Sequence, residues 1–175
     1  MKKNKIYSIT QAAAIAAVYV VLTFAANALG LSNGVIQVRF SEALTILPYF
    51  TPLAVPGLFV GCLISNLLTG CMPLDIIFGS LATLAGAVGT SFIGKLADRQ
   101  PAEAAGKWYP WLAPLPPIIA NTLIVPFILA YVYQFEGSIP YFMLTVGIGE
   151  VISCGVLGLL LLFTLQKYRY LLFSR

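Results

Sequence analysis

The sequence predicts an all-α integral membrane protein, a six-transmembrane-helix bundle forming a single domain over residues 1–175 with both termini cytoplasmic. Three observations predict it. The chain is 59% hydrophobic and only 9% charged, where a soluble domain carries about 25% charged residues. Apolar runs recur along its whole length and give a mean hydropathy of +0.92, so the chain lies in the membrane rather than hanging from an anchor. The basic residues cluster at the ends of those runs, which is a topology signal and not a nucleic-acid footprint.

The elements follow in order. Segment one, 9–29, is long enough to span and is not read as a cleaved signal peptide. Its "TQAAAIAAVYV" sets Ala12/Ala16 and Ala13/Ala17 four apart, small-residue pairs that let another helix approach closely, inside the chain or from a partner. Segment two, 40–50, is short: eleven residues at ~1.5 Å each cover about half the hydrocarbon.

Charge parity decides whether segment two crosses. If all six segments cross from a cytoplasmic N-terminus, Lys2, Lys3, Lys5, Lys95, Arg99, Lys107, Lys167, Arg169 and Arg175 lie inside and only Arg39 outside. If segment two stays on one side, every later loop flips and only the first three lysines remain inside. The positive-inside rule therefore predicts a crossing, reached by extending back through "VIQV" or by thinning of the bundle.

Segments three, 52–69, four, 75–97, five, 108–134, and six, 141–165, complete the bundle. Pro52 and Pro56 are expected to break segment three near its start, and Pro114, Pro116, Pro117 and Pro126 to interrupt segment five. Interrupted membrane helices border binding sites in transporters. Trp108, Tyr109 and Trp111 suit the inner interface, with Tyr168 and Tyr170. Tyr131, Tyr133 and Tyr141 suit the outer one.

Several functions are excluded. There is no histidine and no CxxC spacing among Cys62, Cys71 and Cys154, so no zinc site is expected, and Cys62 and Cys154 read as small packed residues. "GTSFIGKL" has phosphate-loop spacing, but Leu96 stands where a magnesium-binding Ser or Thr is needed and no strand precedes it. No nucleophile–base pair suggests an enzyme.

On this topology the polar residues gather toward the outer half. Arg39 and Glu42 open segment two, Asn66 lies near the outer end of segment three, and Asp75 starts segment four. Asn121 is mid-way along segment five, and Glu150 is deep in segment six, just after two glycines in "TVGIGEVIS". An ionisable group deep in a membrane helix is costly and faces a cavity or a partner. Gly147 and Gly149 are expected to permit close backbone approach beside it. Asp75 also suits a helix N-terminus, Asn121 an interhelical hydrogen bond, and Glu136 a solvated loop.

The strings "VRFSEALTILPYFTPLAVPGLFVGCLISNLL", "PLDIIFGSLATLAGA", "LAPLPPIIANTLIVP" and "VGIGEVISCGVLGLLLL" resemble the queuosine-precursor (QueT-type) S-components of energy-coupling factor transporters over nearly the whole chain. The resemblance implies the six-helix S-component architecture with a short second helix. It implies capture of a 7-deazaguanine from outside, no cofactor, and docking in the bilayer on a transmembrane coupling subunit driven by two ABC ATPases. It assigns that docking to the stripe Ala12, Ala13, Ala16 and Ala17, and lids to residues 30–39 and 70–74.

A carboxylate can accept two adjacent N–H donors of a deazaguanine edge, which nominates Glu150. An aminomethyl arm needs a second acid, Asp75 or Glu42. Asn121 and Asn66 can read a ring nitrogen or carbonyl, and Phe40 or Tyr141 can stack on the base. Arg39 and Glu42, three apart on a helix, are expected to pair. Arg39 is assigned to a latch over the pocket, while Glu42 can line the pocket or join the latch. The competing readings are an S-component for a flavin or thiamine, a self-sufficient carrier or channel, a membrane enzyme, and a structural membrane protein.

Overall fold

The computed structural model describes residues 2–32, 36–101 and 108–168, with side chains from Lys5 onward in the first helix. Lys107, Arg169 and Arg175 of the charge count lie outside the described residues, as do Glu103, Tyr170, the side chains of Lys2 and Lys3, and residues 33–35 of the first expected lid. Every regular element among the described residues is helical. They are α1 (Lys2–Ala28), a 3₁₀ helix (Phe40–Tyr49), α2 (Ala54–Leu68), α3 (Pro73–Asp98), the single turn α4 (Tyr109–Leu112), α5 (Leu115–Tyr131), α6 (Ile139–Glu150), a π-helical stretch (Val151–Leu157) and α7 (Gly158–Lys167).

Four stretches are long and apolar enough to cross a membrane: Lys5–Ala28, Pro73–Asp98, Tyr109–Tyr131 and Ile139–Lys167. The fifteen residues of α2 reach ~22 Å at 1.5 Å each, against about 30 Å of hydrocarbon. Segment two is a 3₁₀ helix of ten residues; at ~2.0 Å rise it reaches about 20 Å, longer than the same residues as α-helix. The "VIQV" extension does not occur among the described residues: Gln37 to Arg39 are non-helical, and Arg39 is extended at φ −111°, ψ 113°. The ten residues are instead surrounded, with Ser41, Glu42, Leu44, Thr45, Ile46, Pro48 and Tyr49 buried among neighbouring helices.

Proline mostly starts helices here instead of breaking them. Pro114 is the N-cap of α5, and Pro116 and Pro117 fall in its first turn, where the missing N–H costs nothing. Pro126 lies inside α5 and Pro48 inside the 3₁₀ helix. Close contacts then set the helix spacing. A Cβ on Gly86 or Gly89 would lie 2.6 Å from Pro117 Cα and 2.5 Å from Pro116 Cβ, which locks α3 to α5. Gly94 would meet the Tyr49 carbonyl at 2.3 Å, pinning the end of the 3₁₀ helix. Gly89 and Gly94, the glycines of the phosphate-loop spacing, thus serve helix packing.

The alanine stripe divides. Ala16 is buried, and Ala12 and Ala16 face Gly57 and Gly61 of α2, where a Cβ would meet the Ala12 carbonyl at 2.7 Å and the Ala16 backbone at 3.1 Å. Ala13 and Ala17 are exposed. Three apolar clusters hold the bundle among the described residues, the smallest being Leu129, Phe142 and Val146 between α5 and α6; the other two are larger. One joins Tyr19, Leu44, Ala54, Leu58, Cys62 and Ala87, and the other Ile46, Tyr49, Ala97, Ala113 and Leu162. Phe24, Phe78, Phe92, Leu123 and Leu160 are among the large apolar side chains left on the outside, as suits a surface solvated by lipid. Trp108, Trp111, Tyr131, Tyr141 and Tyr168 also point outward, whereas Tyr133 does not join an aromatic belt and turns inward, as described below.

Candidate functional site

A polar cavity opens at the end of the bundle where α1, α2 and α5 finish and α3 begins. Its outer lobe, about 370 Å³, is lined by Thr23, Asn27, Ser32, Gln37, Arg39, Asn66, Thr69, Gly70, Cys71, Asp75, Tyr133 and Phe135 with aliphatic residues of α5. A deeper lobe of about 30 Å³ is lined by Glu42, Thr83, Asn121, Val146 and Glu150 together with Gln37, Arg39, Asp75 and Val125, which line both lobes. The six residues nominated from sequence therefore meet in one place: Asn66 in the outer lobe, Glu42, Asn121 and Glu150 in the inner one, and Arg39 and Asp75 bridging the two.

Each is positioned by its own element. Glu42 is 2% exposed, in the first turn of the 3₁₀ helix. Thr23 Oγ1 donates to Ser41 Oγ at 2.8 Å, which ties that turn to α1. The Tyr19 hydroxyl of α1 donates to Glu42 Oε1, while Glu42 Oε2 has no hydrogen-bond partner. The expected pairing of Glu42 with Arg39 is thus replaced. Arg39 is the extended N-cap, outside the helical spacing; its side chain shares the inner lobe with Glu42, but no direct hydrogen bond joins the two among the described residues. The Arg39 backbone N–H donates to Ser153 Oγ at 3.1 Å, fastening the start of the 3₁₀ helix to the π-helical stretch.

Glu150 is the last residue of α6, at the point where the backbone turns from α to π. Such local widenings are common at functional sites. Cys154 Sγ donates to Glu150 Oε2 at 3.1 Å and lies 3.5 Å from the Glu42 carbonyl, so this cysteine is part of the polar network as well as buried. Gly149 lets the chain before the 3₁₀ helix pass: a Cβ there would stand 2.1 Å from the Gln37 carbonyl oxygen. Gly147 does not share that role, since its Cβ would meet Thr122 at an ordinary 3.6 Å.

Ligand atoms of Glu42, Glu150 and Cys154 all lie within 4.8 Å of one another. Two carboxylates and one thiol could hold a metal ion, or the N–H donors of an organic ligand. The pair of hard oxygens with a soft sulfur matches no single metal preference. A carboxylate oxygen left without a donor in a buried site costs about 1–3 kcal/mol, and a donor-bearing ligand would remove that cost. Ser32 Oγ in the outer lobe is likewise buried without a partner.

Asp75, 7% exposed in the first turn of α3, already has a donor, the Tyr133 hydroxyl at 2.7 Å. Asn66 Nδ2 lies 3.5 Å from Cys62 Sγ. Asp75 Oδ1 and Asn66 Nδ2 would stand 3.0 and 3.4 Å from a Cβ on Gly79, so that glycine makes room for both. Asn121 is 4% exposed. Glu136 is exposed on its loop, as expected. The described lining holds three carboxyl groups, Glu42, Asp75 and Glu150, against one guanidinium, that of Arg39.

Sequence reasoning missed Tyr19, Tyr133 and Phe135. Tyr19 lay inside an apolar run, and Tyr133 was assigned to an interfacial belt. Phe40 and Tyr141, nominated to stack on a base, are absent from the described lining. Of the expected lids, Ser32, Gln37 and Arg39 of the first and Gly70 and Cys71 of the second line the outer lobe.

Residues 9–167 match the family described as QueT transporter. The chain belongs to the QueT transporter family. It is 40% identical over 84 residues to the queuosine precursor transporter QueT of Lactococcus lactis subsp. cremoris, a stretch covering 48% of this chain and 49% of that protein. The chain therefore spans about half the length of the curated relative it matches. No solved structure matches it. Membership in a QueT transporter family agrees with the four long apolar helices and identifies a multi-pass membrane protein.

Proposed function

We propose that the chain, as one 175-residue domain, is the substrate-binding S-component of an energy-coupling factor importer. It captures a 7-deazaguanine precursor of queuosine, with an aminomethyl or nitrile arm, or queuine itself. The observation that carries this reading is the convergence of Glu42, Glu150 and Asn121 in one small buried lobe, with Glu42 Oε2 left unpaired. The guanine-like edge of such a base offers adjacent N–H donors, and carboxylates in a water-poor site bind such donors strongly. The outer lobe, at about 370 Å³, falls within the ordinary range for small-molecule sites, roughly 300–1,000 Å³.

Glu150 and Glu42 take the donor edge and any ammonium, since Asp75 is already engaged by Tyr133. Asn121 and Asn66 read ring nitrogen or carbonyl groups, and Arg39 closes the passage between the lobes. In this reading the 3₁₀ helix and α2 cross together with the four long helices, making six crossings. Both termini are cytoplasmic, and the cavity opens outward. The chain itself is no enzyme: two ABC ATPases supply the energy through a transmembrane coupling subunit. That subunit docks on the alanine stripe, where Ala13 and Ala17 offer the exposed side and Ala12 and Ala16 hold α1 to α2.

Mass spectrometry of ligand released from the purified protein tests the proposal. A 7-deazaguanine is expected, and a flavin or thiamine would replace the substrate while leaving the S-component reading. Glu150→Gln should weaken deazaguanine binding at least ten-fold. Unchanged affinity would remove Glu150 from the site.

A further inference from the structure

The size of the two lobes decides where a flat bicyclic ligand can lie. The inner lobe, about 30 Å³, has room for roughly two or three water-sized groups, since about 10–15 Å³ of such space holds one water. An exocyclic amine fits there; a fused ring does not. The ring must therefore sit in the outer lobe, whose only aromatic residues among the described lining are Tyr133 and Phe135.

These two residues are held as a unit. The backbone N–H groups of Tyr133 and Phe135 donate to Ile128 and Leu129 carbonyls at 3.1 Å each, so the chain beyond α5 wraps back on the helix end. Gln134 between them has φ +53°, a left-handed conformation that costs a non-glycine residue of this kind free energy and concentrates at ligand clamps. The rings lie with centroids 5.6 Å apart, tilted by 34°. The Tyr133 hydroxyl donates to Asp75 Oδ2 at 2.7 Å and accepts from the Met72 backbone N–H at 3.2 Å, fixing it from two sides. Phe135 is 53% exposed, an apolar face that the described residues leave about half open. Asp75 lines both lobes, so the residue that fixes the Tyr133 ring also stands at the entrance to the inner acids.

We propose that Tyr133 and Phe135 form the stacking face for the substrate ring, with the Tyr133–Asp75–Met72 bonds setting its plane relative to Glu42 and Glu150. This inference rests on the proposed function for the choice of a fused heteroaromatic ring. It assigns the stacking role to the segment after α5, outside both expected lids and away from Phe40 and Tyr141.

The test is equilibrium binding of 7-aminomethyl-7-deazaguanine and its nitrile counterpart to the full chain in detergent. Phe135→Leu should weaken both probes about 5- to 150-fold, the range for losing one base–aromatic stack. Phe135→Tyr should restore affinity. Phe135→Trp should bind and show indole fluorescence quenched by either probe, beyond any change in the wild-type protein, a signature that a merely structural role would not give. Tyr133→Phe, which keeps the ring but frees it from Asp75, should fall between wild type and Phe135→Leu. If wild type binds and Phe135→Leu binds equally well, or the Phe135→Trp signal is unquenched, the stacking face is overturned while the proposed function stands. If wild type binds neither probe, the functional reading fails and takes this inference with it.

Discussion

Gly149→Ala is the substitution whose effect follows most directly from the structure. The added Cβ would stand 2.1 Å from the Gln37 carbonyl oxygen and 3.1 Å from its carbon, in a buried position. The obstacle is backbone, so no rotamer change relieves it. The chain at Gln37 or the α6 helix must move by roughly 1 Å to reach ordinary contact. Overpacking of this kind costs about 1–3 kcal/mol. The same displacement reaches the cavity, because Gln37 and Arg39 line both lobes and Glu150 is the next residue.

Gly147→Ala is the internal control. It lies on the same helix, meets Thr122 at 3.6 Å, and gains up to about 1 kcal/mol of helix propensity. Thermal unfolding in one detergent should place Gly149→Ala below wild type and Gly147→Ala at or above it. Ligand affinity should fall only in Gly149→Ala. Equal unfolding midpoints for the two variants would refute the claim that α6 and the segment before the 3₁₀ helix are in backbone contact.

Three further outcomes follow from the same contacts. Tyr19→Phe removes the donor to Glu42 Oε1 at a site 1% exposed and should destabilise the protein by about 1–3 kcal/mol; an unchanged thermal midpoint would show that the bond carries no stability. Cys71 lines the outer lobe, whereas Cys62 and Cys154 are buried. A small maleimide should therefore label Cys71 first, and bound deazaguanine should slow that labelling; mass mapping of the adduct to another cysteine would contradict the placement. Arg39→Ala should speed ligand release in a stopped-flow chase with little change in the thermal midpoint, and an unaltered release rate would remove Arg39 from the closing role.

The positions of the helices were legible in the sequence because their causes are local. Apolar runs place the long spans within a few residues of their bounds, apart from α1, which begins earlier, at Lys2, because short polar residues and lysines extend a helix beyond its apolar part. Proline marks the starts of α2 and α5. The nominated polar residues were legible for a related reason: a charge or amide in so apolar a chain has few places to go, and Glu42, Asp75, Asn121 and Glu150 all face one polar cavity.

Helix type and pairing were not legible. Whether ten residues close as 3₁₀ or seven as π depends on neighbours such as the Tyr49–Gly94 and Gln37–Gly149 contacts, which join distant parts of the chain. A separation of three residues between Arg39 and Glu42 suggested a bonded pair, but Tyr19, twenty-three positions from Glu42, donates to its carboxylate. Tyr133 suited a membrane interface until its bond to Asp75, fifty-eight positions away, turned it into the cavity. The alanine stripe gave no sign that one half would be occupied by Gly57 and Gly61. Hydropathy and charge thus determined that this chain is a helical membrane protein with a polar interior. Only the tertiary structure decided which side chains meet there, because hydrogen bonds and ring contacts act over a few ångströms and the residues that make them are far apart in sequence.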